Sequence, residues 1–178
     1  MTEFSASIAA AAVRHGLDAD LVAAIVRIES SGDPLAWNPE PRYHYLWDVR
    51  LRQPFRSLTP AEVASEVPPP DFPALVGDPD QEWWAQQASW GLMQLMGAVA
   101  RELDCRAPYL TALCAYPDAN LDLGCRKLAQ LLTWTKGHVA RACAAYNAGP
   151  GGVASVAGRR YATKVVVARD QIRREGHA

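Results

Sequence analysis

Apolar residues recur at helical spacing along most of the chain, and their stripes mark the elements it should form. Ser5 to His15 reads as a short helix stopped by Gly16. Asp18 then caps a second helix to about Ser31, with Leu21, Val22, Ile25 and Ile28 on its apolar face and Gly32 and Pro34 ending it. From Gly91 to Leu103 a stripe of Leu92, Leu95, Met96, Val99 and Leu103 predicts another helix. Asp118 can cap one running to about Thr135, with Leu121, Leu128 and Leu132 inward. His138 to Ala148 forms a short helix ended by Gly149-Pro150-Gly151-Gly152. The last helix spans about Arg159 to Arg174, with Tyr161, Val165, Ala168 and Ile172 on one face. Val165-Val166-Val167 has the character of a strand, but its flanks favour a helix, and no convincing period-2 run exists elsewhere.

One stretch breaks this pattern. Ten of the 13 prolines lie between Pro34 and Pro79, and five of the six tryptophans lie between Trp37 and Trp90. The expected architecture is therefore a single all-α domain over residues 1–178 with a long Pro/Trp-rich loop insertion at about 33–88. Loops longer than about 15 residues in a compact domain are usually functional.

The second helix carries a residue at odds with its surroundings. At 100° per residue Glu29 falls about 80° from Leu21, between Ile25 and Val22, on the stripe that should be buried. Burying an unpaired charge is costly, so the group pairs, protonates or faces a cleft. A carboxyl in an apolar cleft has its pKa raised by desolvation, which suits a general acid near neutral pH. The competing reading is a last-turn glutamate that meets solvent or pairs with Arg27 or another arginine.

Composition narrows the function classes. The 178 residues are 49% hydrophobic and 21% charged, which points to a globular chain rather than disorder or a fibrous repeat. A chain of this length buries roughly 70% of the surface its unfolded form exposes. The net charge of −1 provides no global basic field, so nucleic acid is not an expected partner. Apolar stretches fall short of a membrane span, and no membrane partner is expected. The N-terminus lacks a basic region, and Ala9–Val13 is too weak for a signal core. The expectation is synthesis in the cytoplasm without a signal peptide, with a phage or a secretion machine free to move the protein later. Cys105, Cys114, Cys125 and Cys143 form no C-x-x-C pair, and His138 is the only histidine near them. No metal and no cofactor are therefore expected. The thiols read as small, reduced, buried apolar groups, and a disulfide such as Cys114–Cys125 would need an oxidising compartment.

Three motifs follow in order. Glu29-Ser30-Ser31-Gly32 ends the second helix. Ser89-Trp90-Gly91-Leu92-Met93-Gln94-Leu95-Met96 comes after the long loop. Ala144-Ala145-Tyr146-Asn147-Ala148-Gly149 precedes the last helix, which contains Tyr161. This ordered set, over about residues 17–50 and 89–170, resembles the soluble lytic transglycosylases, which share a lysozyme-like fold with goose-type lysozyme. The Trp-Gly-Leu-Met-Gln form and the segment Tyr45-Leu46-Trp47-Asp48 resemble a phage-associated branch. The resemblance implies a lysozyme-like helical fold and peptidoglycan glycan strands as the substrate. The enzyme would act, as a monomer, on the cell wall after release or as a virion component.

The resemblance also implies roles. Glu29 matches the single catalytic glutamate. Ser30 matches a serine that orients the substrate's acetamido group. Met93 and Gln94 match the cleft wall, with the Gln94 amide offered to sugar hydroxyls; beside the resemblance, Trp90 with the adjacent Gly91 is read towards the cleft. Tyr146 and Asn147 match the pair that positions saccharide and glutamate, and Tyr161 a tyrosine whose hydroxyl approaches the carboxyl. Structural alternatives stand beside them: Met93 as core, Asn147 as a helix C-cap, Tyr161 as packing. Trp37, Trp47 and Trp90 either line sugar subsites or anchor the loop, whereas Trp83 and Trp84 read as anchors.

Glycoside cleavage ordinarily uses two carboxyls. The transglycosylase resemblance implies that one suffices: Glu29 protonates the glycosidic oxygen, the muramyl acetamido oxygen attacks its own anomeric carbon, and Glu29 then deprotonates the C6 hydroxyl to close a 1,6-anhydro ring. The rival is hydrolysis, as in goose-type lysozyme. Asp33 and Asp48 are the available second carboxylates, and Asp48, among Tyr43, Tyr45 and Trp47, is the better one. Another class is a non-catalytic wall-binding or virion structural module. The basic run Arg159, Arg160, Lys164, Arg169, Arg173 and Arg174 reads as a solvated helix face, or as a contact for the anionic wall.

Overall fold

The structure is a computed structural model that describes residues 3–41 and 43–176. Met1 and Thr2, the start of the segment read above for a leader, lie outside the described residues. In chain order the elements are α1 (Ser5–Arg14), α2 (Ala19–Ser30), β1 (Trp37–Pro39), β2 (Trp47–Asp48), β3 (Gln53–Pro54), α3 (Pro60–Val63), α4 (Pro79–Gln86), β4 (Ala88–Trp90), β5 (Leu95–Met96), α5 (Gly97–Glu102), α6 (Ala112–Ala115), α7 (Pro117–Trp134), α8 (Val139–Ala148), a 3-10 turn (Pro150–Gly152) and α9 (Val156–Glu175). The chain divides into two compact units. One holds the residues up to Gly32 and from Gly124 onward, the other Asp33–Leu123. No helix of the described residues is long and apolar enough to cross a membrane.

The first unit is helical throughout. Asp18 caps α2 by accepting the Asp20 N–H at 3.0 Å, and the helix ends where Ser31 turns left-handed at φ 55°. Its apolar face buries Leu21, Val22, Ala24, Ile25 and Val26, as the periodicity requires. The α2 helix packs on α9, and α9 on α8. Helix α9 begins at Val156, three residues before the expected start, because Ser155 caps it by accepting the Gly158 N–H at 3.0 Å. Its buried face holds Gly158, Tyr161, Ala162, Val165 and Ala168, so the valine run is helical. The basic face is partly neutralised: Arg173 bonds Asp18 at 2.7 Å and Asp20 at 3.2 Å, and Arg169 pairs with Asp170 at 3.0 Å.

The second unit departs from the expected pattern. Residues Gly91 to Leu103 do not form one helix. Ala88–Trp90 and Leu95–Met96 are strands, and only Gly97–Glu102 is helical. The antiparallel order is β1-β4-β5, with Trp37 opposite Trp90 and Trp90 opposite Leu95. The apolar spacing misled because this hairpin is buried on both faces, and a fully buried strand shows no alternation. Backbone conformation settles the difference, since Gly91 at φ +67° and Gln94 at φ 44° both interrupt a helix.

The former "loop" has its own core of Leu46, Phe72 and Trp83, with Phe72 edge-on to both Phe55 and Trp83. Trp83 anchors as expected, but Trp84 is 41% exposed and does not. The same unit holds a buried charge pair. Arg101 donates to Glu82 through Nε at 2.8 Å and Nη2 at 2.7 Å, and its Nη1 reaches the carbonyls of Cys105 and Ala107 at 2.8 and 2.7 Å. Gln86 donates to the same Glu82 at 2.9 Å and exchanges hydrogen bonds with the Trp47 backbone at 2.8 and 3.0 Å. All four cysteines are free thiols; Cys125 and Cys143 are buried, Cys105 and Cys114 partly so.

Candidate active site

Glu29 occupies the last turn of α2, half-buried on the stripe that holds Ile25 and Val22. The Tyr161 hydroxyl of α9 donates to its Oε1 at 2.5 Å. Arg27, the suggested partner for a surface glutamate, bonds Glu175 instead at 3.1 Å. Glu29 thus lies in an apolar setting with a neutral hydroxyl at its carboxyl. Burial raises its pKa from the ordinary 4.5 to about 7, while the Tyr161 hydrogen bond pulls the other way. Near neutral pH the group is divided between acid and conjugate base.

Two tyrosines surround it in electrostatic terms. Burial first, then the Glu29 charge, push the ionisation of Tyr161 far above the ordinary range. The same two causes act in the same order on Tyr146, on α8. Both therefore stay neutral hydrogen-bond groups at any pH the fold meets. Tyr161 is 7% exposed, so its apolar ring packs and its hydroxyl binds Glu29 at once. Asn147 is exposed near the end of α8, and the helix is capped by Gly149 at φ 68°, not by Asn147. Ser30 Oγ donates to the Val26 carbonyl at 3.2 Å and accepts the Gly32 N–H at 3.2 Å, which fixes the helix end beside Glu29.

The second unit holds the other named residues, and several differ from expectation. Met93 is 0% exposed, so it is core and not a wall that sugars could touch. Gln94 spends its amide internally. Its Nε2 donates to the carbonyls of Ala36 and Gly91, both at 3.0 Å, and its Oε1 accepts from Ser89 Oγ at 2.8 Å. Both amide hydrogens are engaged, so Gln94 braces the 91–94 turn rather than offering a donor to a hydroxyl. Trp90 is 9% exposed and donates to the Ala85 carbonyl at 2.9 Å, with Trp37 stacked on it. Asp48 is 5% exposed. Its Oδ1 accepts the N–H groups of Arg50 and Leu51 at 2.9 and 3.0 Å, which caps the β2–β3 turn. A carboxylate so enclosed is a turn residue, not one poised to activate water. Asp33 likewise accepts the N–H of Leu35, at 2.8 Å.

Gly91 shows why this turn needs its residue type. A Cβ there would lie 2.7 Å from the Leu113 carbonyl and from Asn120 Nδ2, at a φ that side chains avoid. Asn120, which sequence reasoning passed over, clamps the turn. It is 0% exposed, donates to the Trp90 carbonyl at 2.7 Å and accepts the Met93 N–H at 2.9 Å. The signal was there: Asn120 sits on the buried stripe of α7 with Gly124 and Leu128, a polar residue among apolar ones, as Glu29 is on α2. We expect Asn120→Leu to lower unfolding free energy by about 2–4 kcal/mol, because two buried backbone groups lose their partners. Denaturant unfolding checks this; a loss within error of zero would mean the turn does not depend on the clamp.

Among the described residues no group of three or more His, Cys, Asp or Glu side chains is placed to hold a metal ion. The first unit thus presents a desolvated carboxyl with a neutral tyrosine hydroxyl at it, a group suited to proton transfer near neutral pH. The family model of the transglycosylase SLT domain matches residues 6–166, most of the chain. The chain belongs to that family, whose members are lytic transglycosylase-type glycosidases and related enzymes that degrade peptidoglycan. A search of curated proteins returns no significant match.

Proposed function

We propose that the protein is a lytic transglycosylase that cleaves the β-1,4 bond between N-acetylmuramic acid and N-acetylglucosamine, with Glu29 as its only acid/base. The observation that carries this reading is the Glu29 carboxyl itself, desolvated to about 7 and held by Tyr161 at 2.5 Å. Protonated Glu29 gives its proton to the glycosidic oxygen as the C1–O bond breaks. The muramyl acetamido oxygen takes the place of the leaving sugar at C1. The glutamate, now ionised, accepts the proton of the C6 hydroxyl, and O6 displaces the acetamido oxygen to close the 1,6-anhydro ring. Glu29 ends protonated and no water is consumed. Tyr161 orients the carboxyl throughout, and because it stays neutral it can follow the carboxyl through both charge states. Tyr146 and the exposed Asn147 position the saccharide, and Ser30 fixes the helix end.

One group doing both jobs predicts a one-sided pH profile. The rate on purified peptidoglycan, read as kcat/KM, should be level below about 7 and fall about tenfold per pH unit above it. A bell with a second limb on the acid side would instead require an ionised carboxylate partner, and would contradict the single-residue cycle.

A further inference from the structure

We infer that Trp37 is a glycan-stacking platform, binding a pyranose ring of the peptidoglycan strand; this rests on the reading above. Trp37 belongs to the segment with no sustained period, yet it stands in a strand, β1, opposite Trp90 of β4. The two rings stack with centroids 6.1 Å apart and planes 21° from parallel. Trp90 is fixed in turn, 9% exposed with its indole N–H on the Ala85 carbonyl at 2.9 Å. One face of Trp37 is thus backed by a rigid ring, while 59% of the residue remains exposed. A tryptophan needed only for anchoring would bury itself, as Trp83 does at 1%.

The backbone holds the ring's position as firmly as the stack does. The carbonyl of the preceding residue, Ala36, accepts the Gly91 N–H at 2.7 Å and a Gln94 amide hydrogen at 3.0 Å. Trp37 is therefore built into the same turn that carries the Gly91–Gln94 motif. The occupant follows from ring chemistry. A β-1,4-linked amino sugar presents a flat face of axial C–H groups, slightly positive, and this matches the negative face of an indole. A preorganised platform binds such a face without ordering a side chain on binding. A protein partner is disfavoured, because a single backed ring is far smaller than a stable interface.

The test is binding to soluble glycan strands freed of their stem peptides, measured by calorimetry on the non-turning-over Glu29→Gln protein. Adding Trp37→Ala should weaken Kd about tenfold or more, whereas Trp37→Phe should recover most of the affinity. Trp134→Ala, which removes a ring that is also exposed at 51%, should leave Kd unchanged. On otherwise wild-type enzyme, Trp37→Ala should raise KM for peptidoglycan and leave kcat nearly intact. Unchanged Kd in Trp37→Ala, with strands still bound, overturns this inference and leaves the proposed activity standing. Equal loss in Trp134→Ala also overturns it, since binding would then not be specific to this ring. Failure of Glu29→Gln to bind strands, together with failure of the wild-type enzyme to digest peptidoglycan, removes the reading on which it rests.

Discussion

Glu29→Gln is expected to lower turnover of peptidoglycan by about 10²–10⁴ or more, since one residue donates and then accepts the proton. The amide keeps the shape of the carboxyl and can still accept the Tyr161 hydrogen bond, but it has no proton to give. The same change should stabilise the fold in a pH-dependent way. Glu29 is about 7 in the folded protein and 4.5 ordinarily, so between these values the native state binds more protons than the unfolded one. Stability of the wild type therefore declines as pH rises from about 4.5 to about 7, by an amount on the order of 3 kcal/mol. Glutamine has no such dependence. Melting curves of the two proteins should separate as pH increases, with the variant the more stable above pH 7. A variant that retains most activity, or a gap that does not widen with pH, would count against the desolvated carboxyl.

Arg101→Ala should be the most damaging change outside the site, costing about 3–5 kcal/mol. It leaves Glu82, itself 5% exposed, as a buried charge without its guanidinium, and it removes the donor from the Cys105 and Ala107 carbonyls. The double change Glu82→Leu with Arg101→Met should recover part of the loss, because no uncompensated charge remains. Urea unfolding of the two variants beside the wild type checks both statements. A loss under about 1 kcal/mol in Arg101→Ala would show that water reaches the pair and that it does not organise this core.

The helices of the first unit were legible because each buries one stripe and exposes the other. That contrast also exposed Glu29, a carboxyl on a buried stripe; for Tyr161 the stripe indicated only a packed ring, and the family resemblance alone implied that its hydroxyl meets the acid. The hairpin at Ala88–Met96 was not legible, since burial on both faces removes alternation and leaves a run that mimics a helix. Asp48, Gln94 and Met93 were assigned outward roles that the structure turns inward. Their types suit ligands and turns equally well, and only the position of backbone N–H and C=O groups decides between the two. The Glu82–Arg101 pair was invisible for a related reason, as partners 19 residues apart carry no local signature.

Mass spectrometry of the soluble products tests the central claim most directly. The account predicts muramyl ends in the 1,6-anhydro form, lighter by one water than hydrolysis products and without a new reducing end. It also predicts that Asp48→Asn gives the same product, since that side chain caps its own turn. Reducing muramyl ends from the wild-type enzyme, lost on Asp48→Asn, would contradict the account and establish a two-carboxylate hydrolase in its place.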